Sequence, residues 1–284
     1  MSYTTHAKPA ATEPNAPWPQ WVRNNVAAWF ALLHRPPRVM PASAWWAAVH
    51  PRVTAGVAVL TVGFMVALDA QAVTAARRLP LRLIEFFDWL TDFGKSSWFL
   101  WPVGLLLIVF PFLAAPSLPR LSRLTFAAIS VRLTFLFLAI GLPSLFASVV
   151  KRLIGRSRPF VGGEADPFLF APFGWRVEFA SLPSGHATTA FAVAVAVGAL
   201  WPRTRVLMWT YALAIAVSRV VLTAHHPSDV LAGALVGAFG ALLVRNWFAA
   251  RRLGFAPAPG GGIGPLPGPS LRRIKTVARQ VFAP

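Results

Sequence analysis

An all-α polytopic membrane protein, a bundle of six transmembrane helices with interfacial helices beside it, is the fold class this sequence predicts. Three observations predict it. Hydrophobic residues make up 56% of the 284 and charged residues only 13%, about half the charged share of a soluble domain. The apolar residues gather in six runs near the length that crosses a hydrocarbon core of about 30 Å. Lys and Arg, 27 against nine acids for a net charge of +18, fall mostly between those runs and unequally on alternate sides.

The six runs cover residues 53–73, 97–118, 133–150, 184–201, 206–223 and 230–247. The second and third carry no charge at all. Asp69 interrupts the first and Arg219 the fifth, while the sixth is short and rich in glycine. Those three are expected to pack against neighbouring helices rather than face lipid all round. For Asp69 a helix-packing hydrogen bond or an interfacial position is the simplest role, with help in substrate access or proton transfer as the alternative.

Two stretches are expected to lie on the membrane rather than across it. In 18–34, Trp18, Trp21, Val22, Val26, Trp29, Phe30 and Leu33 suit an interfacial helix, and 79–93 mixes Leu83, Phe86, Phe87 and Trp89 with Arg82, Glu85 and Asp88. Residues 254–269 read as a Pro/Gly-rich linker. After it, Leu271, Ile274, Ala278 and Val281 oppose Arg272, Arg273, Lys275 and Arg279, which makes either an amphipathic helix or a disordered basic end. The division is then a cytoplasmic and interfacial segment 1–52, a membrane domain 53–250 and a basic cytoplasmic tail 251–284. No basic region leads directly into an apolar run within the first fifty residues, so no secretory signal is expected there.

With the N-terminus in the cytoplasm, 17 of the 27 Lys and Arg lie inside, from Lys8 through Arg120 and Arg205 to Arg279. Of the ten outside, Lys151, Arg152, Arg156, Arg158 and Arg219 belong to the segments discussed next. The positive-inside count therefore keeps both termini cytoplasmic and puts those segments on the outer face, the periplasm in a Gram-negative cell. Cationic surfaces of this kind suit anionic lipid headgroups and a phosphate substrate rather than nucleic acid. Zero cysteines exclude disulfides and thiolate catalysis.

Charged residues beside membrane spans are costly unless they work, and three segments carry them. In 151–159, Lys151 and Arg158 are seven apart, on one face about 10 Å apart if the third span continues as helix. Pro159 is then expected to end it. Two cations aimed at one point suit a phosphate, although a positive flank anchoring the span in headgroups reads the same way. In 182–189, Pro183-Ser184-Gly185-His186 opens an apolar run. Ser184 is expected at the N-cap, with free backbone N–H groups and a bare Gly185 open to an anion. His186 in the first turn is a candidate general acid, or a histidine satisfied at the interface. In 218–229, His225 and Asp229 are four apart, on one helical face or brought close across the His226-Pro227 turn. A carboxylate on one imidazole nitrogen frees the other to attack; an ion pair closing a helix hairpin is the alternative. Arg219 adds a third cation. Scattered acids argue against a metal site, and adjacent His225 and His226 point apart on a helix, so no metal and no cofactor are expected.

Together these segments resemble the type 2 phosphatidic acid phosphatase family over roughly residues 53–250. The family's three motif parts are Lys-x6-Arg-Pro, Pro-Ser-Gly-His and Ser-Arg-x5-His-x3-Asp. They match Lys151…Arg158-Pro159, Pro183-Ser184-Gly185-His186 and Ser218-Arg219…His225…Asp229. The resemblance implies that His225 attacks phosphorus to form a phosphohistidine, Asp229 orients it and His186 protonates the leaving oxygen. It also implies that Lys151, Arg158, Arg219, Ser184 and Gly185 hold the phosphoryl oxygens, with no metal. His226 falls on a free position.

The activity so implied is a membrane lipid phosphatase acting on a lipid mono- or diphosphate. Undecaprenyl diphosphate is the first expectation, with phosphatidylglycerophosphate, phosphatidate and lipid A phosphates next, and transfer to an acceptor other than water beside them. Vanadium haloperoxidases resemble the family in the same motifs but are soluble. A non-catalytic anionic-lipid-binding protein needs no oriented nucleophile, which the His225–Asp229 pair supplies.

Overall fold

Residues 18–38, 51–258 and 262–282 are described by a computed structural model of the chain; the parts of the 1–52 segment outside these ranges, Lys8 included, and the side chain of Trp18 lie outside the described residues. Among those described, the helices are α1 (Trp18–Leu33), α2 (Pro51–Ala67), α3 (Asp69–Ala76), α4 (Leu81–Thr91), α5 (Ser97–Leu113), α6 (Arg120–Ile154), α7 (Gly185–Leu200), α8 (Arg205–Val221), α9 (Pro227–Ala250) and α10 (Leu271–Phe282). A hairpin of β1 (Phe255–Pro257) and β2 (Ile263–Pro265) precedes the last helix.

The protein is an all-α membrane bundle, and α7 stands at its centre with α6, α8 and α9 around it. Its composition explains the placement. Ala187, Ala190, Ala192, Val193, Ala194 and Ala196 are all buried, and a helix that is small and apolar on every side is one that other helices close upon. At 16 residues it is only about 24 Å long, shorter than its neighbours. The glycines of the sixth span give it the close packing on a neighbour expected of a glycine-rich span. A Cβ at Gly237 would lie 2.1 Å from the Thr188 carbonyl oxygen, and one at Gly233 would lie 2.5 Å from that of Ser184. Gly237→Val is accordingly expected to lower the thermal unfolding midpoint in detergent, by overpacking that costs at least about 1–3 kcal/mol. An unchanged midpoint would contradict the close approach.

Of the six expected spans, four contain helices long and apolar enough to cross a membrane, the bent pair α2–α3 makes a fifth if it is one span, and the run 184–201 forms the shorter apolar helix α7. Leu81–Leu113, Arg120–Ile154, Pro202–Val221 and Pro227–Ala250 are each long and apolar enough to cross a membrane. The first span is not one continuous helix over 53–73. It breaks between α2 and α3 with a bend of 60°, and Asp69, expected inside a span, instead begins α3 in a fully buried position. The third is longer than its apolar run, because α6 carries on through 35 residues despite Pro143.

The two stretches expected to lie on the membrane are both helical, and α4 is continuous with the candidate span Leu81–Leu113. α4 leaves Leu81, Phe86 and Trp89 exposed and packs on α8. α1 is fastened to the bundle by polar side chains. Asn25 Nδ2 donates to the carbonyls of Pro111 and Ala114, both at 2.9 Å, and Trp29 Nε1 donates to Thr134 Oγ1 at 2.9 Å.

The linker is a different matter, since within 254–269 lies the antiparallel hairpin. Phe255 is buried, with its ring 4.7 Å from that of Phe135, which in turn meets Phe248 at 5.4 Å. The basic tail is helical rather than disordered: Val277 is buried and Ser122 Oγ donates to Gln280 Oε1 at 2.6 Å.

Candidate active site

α6 and α8 end, and α7 and α9 begin, at the same end of the bundle, so the three charged segments meet there. Their local turns are set by sequence. Gly155, with φ 63°, stops α6 at Ile154 in the left-handed conformation. A Cβ there would lie 1.9 Å from the Ala171 carbonyl oxygen, so no larger residue fits. This overturns the expectation that helix runs from Lys151 through Arg158 until Pro159. Arg158 sits in the loop that follows, where its N–H donates to the Glu178 carbonyl at 2.8 Å.

The cations are nevertheless brought together. Lys151, in the last turn of α6, holds its Nζ 3.2 Å from where a Gly185 Cβ would be. Arg158 and Arg219 are near enough to repel the Lys151 ammonium, and Arg158 to repel Arg219. Burial pushes the Arg158 guanidinium below its ordinary pKa, while Glu178 and Asp229 act to keep it charged. Arg158 Nε, Arg219 Nε and Ser184 Oγ are buried without a hydrogen-bond partner among the described residues. Three mutually repelling cations with free donors, beside a helix N-terminus, have the chemistry that could hold a tetrahedral anion.

Ser184 holds the N-cap position, but its hydroxyl makes no capping bond. Its backbone N–H donates to the Asp229 carbonyl at 2.9 Å, which ties α7 to α9. His186, one residue into α7, lies within electrostatic reach of Arg219, His225 and Lys151. Arg219 Nη1 donates to Thr91 Oγ1 at 2.7 Å. The Arg219 carbonyl accepts the N–H of Ala224 and that of His225, closing the turn that presents His225.

His225 precedes α9 rather than sharing its face, so it meets Asp229 across the turn, the second of the two geometries expected. Its Nδ1 is 3.3 Å from Ser181 Oγ and 3.7 Å from Asp229 Oδ2. The first is a hydrogen bond and the second an ion-pair distance. Ser181 Oγ in turn donates to Asp229 Oδ2 at 2.6 Å, so the serine bridges the histidine to the carboxylate. With Nδ1 engaged there, Nε2 is the nitrogen left for chemistry. His226 is fully buried at the N-cap of α9, and its backbone N–H donates to Asp229 Oδ2 at 2.9 Å.

Burial pushes the His225 imidazole down to about 4, with Arg219 and Arg158 lowering it further against the pull of Asp229. The ring is therefore neutral, its free nitrogen unprotonated, at every pH above about 4. In protein with ¹³C-labelled histidine rings, the His225 signal is expected to keep its neutral position down to that pH. A midpoint near the ordinary value of about 6.5 would contradict a buried ring.

Four residues near the site were not assigned to it by sequence reasoning: Arg156, Ser181, Ser228 and Thr91. Arg156 is fully buried. Its Nη1 reaches Asp229 Oδ1 at 2.5 Å and Ser228 Oγ at 2.7 Å, its Nη2 reaches Asp69 Oδ2 at 2.7 Å, and its Nε reaches the Pro167 carbonyl at 2.9 Å. Asp69 also accepts the Ser228 N–H at 2.9 Å and the Ser228 hydroxyl. Of the two roles weighed for Asp69, a hydrogen-bonded packing position is where it stands. Among the described residues there is no group of three or more histidines and acids placed to hold a metal.

Fold and site together describe a helical membrane protein with cationic and histidine side chains gathered at one end of its bundle. Residues 132–253, which contain all three motif segments, match the PAP2 superfamily. The chain is 35% identical over 224 residues to a lipid A 1-phosphatase of Rhizobium johnstonii, covering 78% of this chain and 88% of that one. It is 35% identical over 192 residues to a lipid A 1-phosphatase of Rhizobium etli, 67% of this chain and 82% of that one. A lipid A 4'-phosphatase of Bacteroides thetaiotaomicron is 30% identical over 141 residues, 44% of this chain and 61% of that one. Among solved structures, Aquifex aeolicus LpxE is similar at a TM-score of 0.46 and 24% identity, covering 63% of this chain and 94% of that one. A PAP2-type phosphatidylglycerolphosphate phosphatase of Bacillus subtilis aligns at 0.46 and 21%, covering 80% and 95%. The chain belongs to the PAP2 superfamily. It is a phosphoric ester hydrolase of the membrane, a lipid phosphatase.

Proposed function

We propose that this chain removes the 1-phosphate of lipid A. The observation that carries the reading is the 35% identity to a lipid A 1-phosphatase across 88% of that protein's length. It moves the leading substrate from undecaprenyl diphosphate, the first expectation from sequence, to lipid A, which stood among the alternatives. The more partial likeness to a 4'-phosphatase makes the other phosphate of the same lipid the second reading.

The geometry supports one sequence of steps. Lys151, Arg158 and Arg219 bind the phosphoryl oxygens, with the Ser184 hydroxyl and the first N–H groups of α7 beneath them. His225 Nε2 attacks phosphorus, forming a P–N bond as the P–O bond to the sugar breaks. The leaving oxygen takes a proton from His186. The Nδ1 proton of His225 stays on the Ser181–Asp229 side, where Asp229 stabilises the charged ring. Water then attacks the phosphohistidine, His186 takes up its proton, and phosphate leaves with His225 neutral again.

The charge count supports a pocket on the periplasmic face with both termini in the cytoplasm. On this reading 53–250 is the catalytic unit, and the flanking 1–52 and 251–284 serve the inner face. There the cations of α10, Arg272, Arg273, Lys275 and Arg279, meet anionic headgroups.

The test is a lipid panel. Purified protein in detergent, with a chelator present, is given lipid A, undecaprenyl diphosphate, phosphatidylglycerophosphate and phosphatidate, and products are read by phosphate release and mass spectrometry. Lipid A lacking its 1-phosphate is the expected product. Loss of the 4'-phosphate instead selects the second reading, and release from another lipid with none from lipid A overturns both.

A further inference from the structure

A buried arginine between two buried carboxylates stands directly behind the site. Arg156 falls on a free position of the first motif, and Asp69 lies in a different helix, outside all three. Both side chains are fully buried, as is that of Asp229. The chain of contacts runs from Asp69 Oδ2 to Arg156 Nη2 at 2.7 Å, and from Arg156 Nη1 to Asp229 Oδ1 at 2.5 Å. Ser228 fastens Asp69 to Arg156, donating its N–H and hydroxyl to the first while accepting from the second.

We propose that Arg156 and Asp69 are positioning residues for Asp229, a guanidinium and a second carboxylate that fix which Asp229 oxygen faces the histidines and how much positive charge stands behind it. The inference rests on the reading of His225 as the phosphoryl acceptor.

Bond directions hold the Asp229 carboxylate in one orientation. Asp229 has two oxygens and two sets of partners. Oδ2 takes the Ser181 hydroxyl and the His226 N–H, and it is the oxygen beside His225 Nδ1. Oδ1 takes Arg156. A bond to a planar guanidinium whose remaining donors are held by Asp69, Ser228 and the Pro167 carbonyl leaves the carboxylate no rotation that keeps all its partners. Charge follows the same logic. Arg156 alone would neutralise Asp229 and weaken its hold on the His225 proton. Asp69 shares the guanidinium, so the buried group of three keeps one net negative charge facing the nucleophile. The position of Asp69 is part of the device: it begins α3 immediately after the 60° break from α2, where its carboxylate meets the loop that carries Arg156.

The test reads His225 directly and needs no turnover. Arg219, Arg158, His186 and Asp229 act electrostatically on His225, Lys151, Lys95, Asp88 and Asp92 act in turn on His186 or Arg219, and His226 shares Asp229 Oδ2 with His225. All of these stay the same in the variants. Histidine rings are ¹³C-labelled, the His225 signal is assigned by its loss in His225→Gln, and its titration midpoint is followed. Arg156→Gln removes a positive charge behind Asp229 and is expected to raise the midpoint. Asp69→Asn removes a negative charge and is expected to lower it, and the double variant should return it toward the starting value. A packing role alone would let water reach the ring in either variant, so both midpoints would climb toward the ordinary value of about 6.5. Two shifts of the same sign, or none, overturn the proposal. Should Arg156→Gln fail to fold, a lowered midpoint in Asp69→Asn still supports it and a raised or unmoved one overturns it.

Kinetics on lipid A form a separate arm. Arg156→Gln should lower kcat on the order of 10-fold or more, as for other outer groups that orient a functional side chain, with KM little changed and part of kcat restored in Arg156→Lys. A rise in KM at constant kcat would place Arg156 in binding and contradict the proposal. Absence of lipid A turnover in the unmutated protein would sink the proposed substrate and leave the titration to decide this inference alone.

Discussion

His225→Ala is expected to abolish turnover, lowering kcat on lipid A by about 10⁴-fold or more, the scale on which removing a covalent nucleophile acts. The expectation comes from the ring's surroundings. His225 is buried, neutral above about pH 4, and engaged at Nδ1 by Ser181 and the Asp229 side. On the proposed mechanism, only Nε2 is left to meet a phosphorus held by Lys151, Arg158 and Arg219. Truncation leaves the phosphate cradle in place, so lipid binding should persist while turnover is lost. Asp229 also keeps Arg156, Ser181 and the His226 N–H as partners, so the fold should survive. Steady-state assays with thermal unfolding as control check this. A loss below about tenfold in a folded variant would mean that phosphorus is attacked by something else.

His186→Ala carries the second largest effect, and its size should depend on the leaving group. Positioned acid–base catalysis contributes about 10²- to 10⁴-fold, and a sugar oxygen needs a proton to leave. Turnover of lipid A is expected to fall by that range. p-Nitrophenolate leaves without a proton, so the burst of p-nitrophenol that reports phosphorylation of His225 should slow by less than about tenfold, while hydrolysis of the phosphohistidine, which His186 also serves on this reading, slows and holds back steady-state turnover. A burst slowed as much as lipid A turnover would make His186 a binding group, since its place in the first turn of α7, near Arg219 and Lys151, also suits contact with the phosphoryl oxygens.

What sequence conveys about this fold is what repeats along it. Spans are visible because each is a run of mostly apolar residues with at most one charge, and the central place of α7 is written in its alanines. The glycines at Gly233 and Gly237 likewise mark a close contact. The break at Asp69 was not visible. An acid in an apolar run reads as a cost until its partner is known, and Arg156 is 87 residues away. Arg156 and Arg158 illustrate the same limit. They are two residues apart in a loop with no regular period, and nothing in their identity tells which side chain turns to the pocket and which to Asp69. Ser181, which bridges His225 to Asp229, lies two residues before Pro183 in a loop whose path depends on contacts from Gly155 to Ala171. The hairpin at Phe255 was masked by the prolines and glycines around it, although an aromatic in a linker was a usable sign of docking.

The site was legible to a greater degree because its chemistry is concentrated in three short segments of unusual composition. Their residues are brought to one end of the bundle, and one detail differs from the spacing argument. Lys151 and Arg158 come together by a left-handed turn at Gly155 and a returning loop, not by sharing a helical face.

The most direct test of the account is to look for the covalent intermediate. Protein mixed with lipid A carrying ³²P at the 1-position is quenched within the first turnover under alkaline conditions, which preserve a P–N bond, and the labelled peptide is sequenced by mass spectrometry. Phosphate is expected on His225, absent in His225→Ala and accumulating in His186→Ala with an activated substrate. Turnover of lipid A without any label on the protein, or label on a residue other than His225, would contradict it.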